Sequence, residues 1–134
     1  MNSITKSRIG ESLDLILRAD REAWTYCFYR QSDRRWVRIF PNPYQPEARL
    51  TAGRAVPMAG KAAAFDLKAT GPEGVELVKC FAAKRPLAAE LPAELAAMRT
   101  EPLDATWDGR LVQAFRRLKD TDLSESSLVV TVLP

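Results

Sequence analysis

Short runs in which apolar side chains share one face predict a mostly β fold for the first two thirds of the chain. Leu13, Leu15 and Leu17 lie on one face of a first strand. Residues 25–30 form a second strand that is rich in aromatic side chains, which favour pleated, half-buried surfaces. A polar turn separates this strand from a third over residues 35–40, so the pair predicts a β-hairpin.

The third predicted strand has two faces of different character. Val37 and Ile39 share one face, and Trp36 and Arg38 share the other. We expect the aliphatic face to point into the core and the Trp-Arg face to point to solvent. Pro41 cannot donate a backbone hydrogen bond, so the strand is predicted to end before it.

The remaining pattern adds more strands and then helices. In a strand over residues 75–82, we expect Val75 and Leu77 to face inward. Further strands are predicted near residues 55–58, 65–67 and 128–133. Pro92, at a first helical position, opens a short alanine-rich helix that reaches Met98.

A second helix is predicted from Thr106, as N-cap, to Lys119. Its apolar stripe consists of Trp107, Leu111, Phe115 and Leu118. We expect this stripe to pack against the sheet. The sequence thus predicts a mainly β fold, a mostly antiparallel β-sandwich with two short helices in the C-terminal half. Residues 1–10 are predicted to be a flexible N-terminal segment, and residues 11–134 a single domain.

Composition restricts the chemistry more than it restricts the fold. The 134 residues are 46% hydrophobic and 28% charged, and the net charge of +3 is too weak to point to nucleic acid. The chain has no histidine, which is the commonest general base near neutral pH and a frequent metal ligand. Its two cysteines cannot complete a four-thiolate zinc site, and no glycine-rich phosphate-binding string occurs. We therefore predict no enzymatic activity, no cofactor and no metal site.

The sequence gives little information about the compartment. No segment is long and apolar enough to predict a membrane span, and the polar N-terminus lacks the apolar stretch of a signal peptide. These features favour a cytoplasmic chain. A fragment of a periplasmic or exported protein would begin in the same way, so the compartment stays open.

Basic and aromatic side chains cluster on the predicted hairpin and its proline-rich exit. Rigid aromatic and arginine groups are the usual anchors of protein interfaces. The candidate partner-binding set is Tyr29, Arg34, Trp36, Arg38, Phe40, Asn42 and Tyr44. One alternative is that the arginines protect a solvated edge strand from pairing, and another is weak binding of single-stranded nucleic acid, which the low net charge disfavours. Asn42 is also expected to stabilise its own turn through its side-chain amide.

The two cysteines allow two interpretations. Cys27 lies in the second predicted strand and Cys80 in the strand over residues 75–82. They can form a disulfide if the two sheets of a sandwich bring them together, and such a bridge would indicate an oxidising compartment. The alternative is a pair of separate buried thiols that pack as small hydrophobic side chains. The sequence leaves both open.

Four motifs follow one another along the chain. They are Tyr26–Tyr29 in the aromatic strand, the stop at Phe40–Asn42, a strand with Glu76 and Cys80, and the helix at Ala114–Arg117. With these motifs the chain resembles, over most of its length, the bacterial domain-of-unknown-function family DUF4384. The resemblance implies an accessory domain without an assigned activity at the C-terminus of larger kinase-, caspase-like- or secretion-linked proteins.

These observations favour a non-catalytic accessory domain, for interaction or sensing, in a larger bacterial signalling or secretion-linked system. Its partner would be a protein of unknown identity, and the oligomeric state is not predicted. The alternatives are a domain that binds a small ligand or a cell-wall fragment, and the weak binder of single-stranded nucleic acid.

Overall fold

Most strands and both helices lie where the sequence pattern predicts them. The structure, a computed structural model, describes residues 2–60, 63, 66–69, 71–96 and 101–134. Within these residues the strands are β1 (Asn2–Arg8), β2 (Leu15–Leu17), β3 (Ala23–Arg30), β4 (Trp36–Phe40), β5 (Arg49–Leu50), β6 (Val56–Ala59), β7 (Gly74–Ala83) and β8 (Ser124–Leu133). The helices are α1 (Ala93–Ala96) and α2 (Trp107–Arg116), after a short 3-10 turn at Ala88–Glu90. Parts of two predicted elements, at Phe65 and at Met98, lie outside the described residues.

The strands form two sheets. Six of them make the main sheet in the order β1-β8-β7-β3-β4, with β5 paired to the start of β3. Neighbours in this sheet run antiparallel except for β1 and β8, which are parallel. The second sheet consists of the antiparallel strands β2 and β6. The prediction of a mostly β, mostly antiparallel fold with two helices is confirmed.

Two apolar layers cover the two faces of the main sheet. On one face, side chains such as Val78 pack against the small sheet, which contributes Leu15 to the same core. On the other face, Phe28 and Phe81 pack against α2. The rings of Phe81 and Phe115 stack there, with their centroids 4.1 Å apart. The small sheet therefore forms a sandwich on one face, and the helices cover the other.

The predicted orientation of β4 is wrong for its Trp-Arg face. Trp36 is only 2% exposed, and Arg38 is half-buried, because the helical layer covers this face. Ile39 is fully buried, as predicted, and Val37 is half-buried. Alternation shows that a strand has two different faces, but it does not show that a second layer covers the more polar one.

The start of β7 turns a different face inward from the one predicted. Val75 is 53% exposed, whereas Glu76 is fully buried. Leu77 packs partly buried against the helical layer. The Tyr29 hydroxyl and the Ser32 N–H each donate a hydrogen bond to the Glu76 carboxyl group. These bonds allow a charged residue to occupy an inward position.

Two further segments differ from the prediction because of contacts between distant parts of the chain. The segment predicted to be flexible, residues 1–10, contains β1, which pairs with β8 at the other end of the chain. A strand is also predicted near residues 65–67. The structure describes Asp66 and Leu67 of this segment, and neither belongs to a strand. The Leu67 carbonyl instead accepts a hydrogen bond of 2.7 Å from the Leu13 N–H. A local pattern does not reveal such partners.

Both predicted helices are present in the described residues. Thr106 lies at the predicted N-cap of α2, although its hydroxyl donates a hydrogen bond to Asp104 and accepts none from the first N–H groups of the helix. Trp107, Leu111 and Phe115 are buried against the sheet, as predicted. Within the described ranges, none of the helices combines the length and the apolar character that a membrane span requires.

Candidate functional site

The candidate partner-binding set does not form an exposed surface. Its buried members, each 3% exposed or less, are Tyr29, Trp36, Phe40 and Asn42. Arg38 is half-buried, while Arg34 and Tyr44 are exposed. Contrary to the expectation from the sequence, these side chains are not presented together to solvent. Each of the buried ones has contacts within the protein.

Asp108, near the start of α2, binds three side chains of the hairpin. Trp36 Nε1 donates a hydrogen bond of 2.8 Å to one carboxyl oxygen. Arg34 forms an ion pair with the other oxygen, and the Arg30 guanidinium lies 3.9 Å from the carboxyl group. Partial burial alone would raise the pKa of Asp108, but these hydrogen bonds and guanidinium charges lower it below its usual value. Arg30 and Arg34 of the hairpin therefore pair with α2.

Arg38 binds the backbone of the helical layer. Its guanidinium donates to the carbonyl oxygens of Leu95 (2.8 Å) and Ala96 (2.7 Å) at the end of α1. Its Nε also donates to the Pro41 carbonyl at 3.2 Å, and the guanidinium lies 6.0 Å from the ring centroid of Tyr26. Burial lowers the pKa of Arg38 below its usual value. The side chain thus joins β4 to the backbone carbonyl groups of α1.

Asn42 and Tyr29 also have internal roles. The Asn42 Oδ1 accepts hydrogen bonds from the N–H groups of Tyr44 (2.9 Å) and Gln45 (3.0 Å), so the amide stabilises its own turn, as predicted. The Tyr29 hydroxyl donates a hydrogen bond to the carboxyl group of the buried Glu76. Burial, followed by the hydrogen bond and charge of Glu76, raises the pKa of Tyr29. Both side chains are therefore parts of the folded core.

An open cleft lies at the opposite end of β3 from the hairpin, on the face that carries the small sheet. Its volume of about 730 Å³ is within the range of small-molecule sites. Small side chains from three adjacent strands form the floor: Ala23, Thr25, Cys80, Ala82, Ser124 and Ser126. The walls come from Leu17 at the end of β2, from residues 18–21 that follow this strand, and from Leu50 and Gly53. The sequence patterns did not indicate this cleft.

Thr25 is the unusual polar group of the cleft floor. It is 4% exposed, and its hydroxyl makes no hydrogen bond within the described part of the chain. A buried hydroxyl without a partner costs on the order of 1–3 kcal/mol. Sequence reasoning missed the residue because a threonine in an aromatic strand is an ordinary strand former.

The rim of the cleft carries charges of both signs. Arg18 donates a hydrogen bond of 2.6 Å to the Gly53 carbonyl, and Arg21 pairs with Asp122 at 2.8 Å. Asp20 also lines the cleft. The cleft can therefore offer both donors and acceptors to a polar ligand. In the residues that the structure describes, no group of three or more Cys, Asp or Glu could hold a metal ion.

Cys27 and Cys80 form a disulfide bond. The two residues are direct partners on the adjacent strands β3 and β7, with their Cα atoms 4.1 Å apart. The sequence left this pairing open and placed any bridge between the two sheets of a sandwich. The bridge lies within one sheet because β3 and β7 are neighbours, which their separation in sequence does not reveal.

A known family matches more than half of the chain. Residues 6–86 match the family described as Domain of unknown function (DUF4384). The chain belongs to the DUF4384 family. Neither the curated proteins nor the solved structures contain a significant match to it.

The DUF4384 match contains most of the cleft floor. Thr25, Cys80 and their neighbours on β3 and β7 lie within the match, whereas Ser124 and Ser126 follow it. The helix at Ala114–Arg117, which also supports the resemblance, lies outside the matched residues. The two central strands and their disulfide thus belong to the DUF4384 part, and β8 completes the floor.

Proposed function

We propose that the chain is a non-catalytic sensory or interaction domain of a larger bacterial signalling or secretion-linked protein, and that it binds a small polar ligand in the cleft. The observation that most supports this is the cavity of about 730 Å³, whose floor presents the exposed side chains of Ser124 and Ser126. Cavities of this size with a few convergent polar groups are the usual sites of small ligands. The surface first expected at the hairpin is not part of the proposal, because Trp36 and Arg38 are bound internally.

The polar groups of the cleft suit a ligand that carries charges of both signs. Arg18 and Arg21 favour a carboxylate, and Asp20 favours an ammonium group. The hydroxyls of Ser124 and Ser126 can donate or accept hydrogen bonds. The described lining residues include no aromatic side chain on which a sugar ring could stack. Amino acids and short peptides, including the peptides of cell-wall fragments, have the chemistry that this lining favours.

The disulfide supports a parent protein in an oxidising compartment. Disulfides persist in secreted and periplasmic proteins and are rare in the cytoplasm, where thiols are kept reduced. The Cys27–Cys80 bridge therefore favours a periplasmic or exported domain over a cytoplasmic one. Such a domain would meet cell-wall peptides directly.

Calorimetric titration with the cell-wall peptide L-alanyl-γ-D-glutamyl-meso-diaminopimelate, which carries free amino and carboxylate groups and no sugar, tests this function. Ala82→Trp fills the cleft floor with a bulky side chain. Val75→Trp is the matched control, because Val75 is 53% exposed and lies outside the cleft. We expect the wild type and the control to bind equally. Ala82→Trp should bind roughly tenfold more weakly, a difference of about 1.4 kcal/mol.

Two results would contradict the proposal. Absence of binding at millimolar concentrations of this peptide would contradict the cell-wall peptide as ligand class, and equal binding by Ala82→Trp would contradict the cleft as the site. Circular dichroism and thermal unfolding of the three proteins serve as the control that each of them is folded. Salt-sensitive binding of a single-stranded oligonucleotide in the same titration would support the nucleic-acid alternative instead.

A further inference from the structure

The two cysteines of the disulfide differ in their position relative to the cleft. Cys27 is fully buried, whereas Cys80 is 9% exposed. Cys80 lines both the cleft and a neighbouring cavity of about 230 Å³ between β2 and β8, and Cys27 lines neither. A molecule that enters the cleft therefore meets Cys80 and not Cys27.

The surroundings of Cys80 leave room for a second sulfur atom. Ser126 is its direct partner on β8, and Ala82 follows on the same face of β7. Both side chains are small, and both line the same cleft. An incoming thiol of low molecular weight can therefore approach Cys80 without displacing a large side chain.

The main sheet does not depend on the disulfide for the pairing of its strands. Seven residue pairs join β3 and β7, from Trp24–Ala83 to Arg30–Leu77. β7 is also paired with β8 from Gly74 to Ala82. Opening the bond would remove a restraint on the unfolded chain, while the hydrogen-bonded ladder would keep both strands in place. Thiol chemistry at Cys80 is therefore compatible with a folded domain.

We propose that Cys80 is a site of thiol–disulfide exchange with low-molecular-weight thiols that enter through the cleft. The thiolate attacks Cys80 Sγ, and a new S–S bond forms as the bond to Cys27 breaks. The electron pair leaves with Cys27, which takes up one proton. One mixed disulfide and one thiol replace one disulfide and one thiolate, so the step needs no further oxidant or reductant. The inference is independent of the proposed ligand, because it rests on the position of a sulfur atom and not on the polar groups of the cleft.

Trapping with glutathione tests the exchange on the wild-type protein. The oxidised domain is incubated with reduced glutathione, free thiols are alkylated with excess N-ethylmaleimide in denaturant at mildly acidic pH, and peptide mass spectrometry locates both groups. We expect glutathione on Cys80 and the alkyl group on Cys27. Glutathione on Cys27, an equal distribution over both residues, or no adduct would overturn the proposal.

Single-cysteine variants provide a second measurement. In folded Cys27→Ser, the Cys80 thiol should form a mixed disulfide with oxidised glutathione. In Cys80→Ser, the Cys27 thiol should react only after denaturation. Adding Ala82→Trp to Cys27→Ser should slow the reaction of Cys80, whereas adding Val75→Trp should not. Equal reactivity of the two thiols in folded variants, with folding checked by circular dichroism, would contradict the inference.

Discussion

The structural role of Trp36 depends on Asp108, a residue of helix α2 that lies far from it in the sequence. Its indole is 2% exposed and packs with Leu103 and Trp107. Its Nε1 donates a hydrogen bond of 2.8 Å to Asp108. A tryptophan beside arginines is a common anchor of interfaces when it is exposed. In this protein the same side chain joins the hairpin to the helical layer and contributes to stability.

Trp36→Ala is therefore expected to lower the free energy of unfolding by about 3–5 kcal/mol, the usual cost of truncating a buried tryptophan. Tyr44→Ala is the control, because Tyr44 belongs to the same candidate set but is 66% exposed. Its free energy of unfolding should change by no more than about 0.5 kcal/mol. Urea denaturation followed by circular dichroism measures both. A small effect of the same size in the two variants would contradict the burial of Trp36.

The roles of single residues could be predicted where their partners are close in sequence. Asn42 binds the backbone N–H groups two and three positions later, so its role in the turn follows from the sequence. The partner of Trp36 lies 72 positions away, and Glu76 lies 47 positions from Tyr29. No local pattern reveals these contacts, and they determine which side chains are buried.

At the scale of elements, local pattern was sufficient for strands with apolar or aromatic faces. β3, β4 and β7 each have such a face over several residues, and each forms where the sequence predicts it. β1 has a polar sequence, and its pairing with β8 joins the two ends of the chain. A strand of this kind is stabilised by its partner more than by its own residues, so a local pattern does not identify it.

Glu125 connects three elements on the helical side of the main sheet. The carboxylate on β8 pairs with Arg116 of α2 at 2.7 Å and with Lys79 of β7 at 2.9 Å. The hydrogen bond from Arg116 is the main cause that lowers the pKa of Glu125 to about 2, while burial opposes the shift and Lys79 adds to it. The carboxyl group therefore stays charged in mild acid and continues to hold these elements together.

Stability should depend on this carboxylate in the acid range. The folded-state pKa of Glu125 lies below its ordinary value of 4.5, so its stabilising contribution is complete above pH 4.5 and is lost as the pH falls towards about 2. Glu125→Gln should be less stable than the wild type near neutral pH, and the difference should shrink below pH 4.5. Urea denaturation of both proteins across this range measures the effect. A difference that does not change with pH would show that the charge has no such role.

The cleft is a property of the whole molecule. Its floor combines short segments of β3, β7 and β8, and its walls come from the chain after β2 and around Gly53. These segments meet only when the three strands are adjacent and the small sheet covers part of one face. The fold class could be predicted because strand patterns are local. The cleft could not, because it depends on the order of the strands and on where the second layer ends.

The central claim, that the cleft is the binding surface of this domain, is tested most directly by mapping where small molecules bind. The ¹⁵N-labelled protein is titrated with polar fragments (amino acids, amides and hydroxy acids), and the backbone amide shifts are followed by NMR. We expect the largest shifts at Thr25, Ala82 and Ser126, and we expect Ala82→Trp to abolish them. Shifts that concentrate at Arg34 and Tyr44, or that spread evenly over the surface, would contradict the claim.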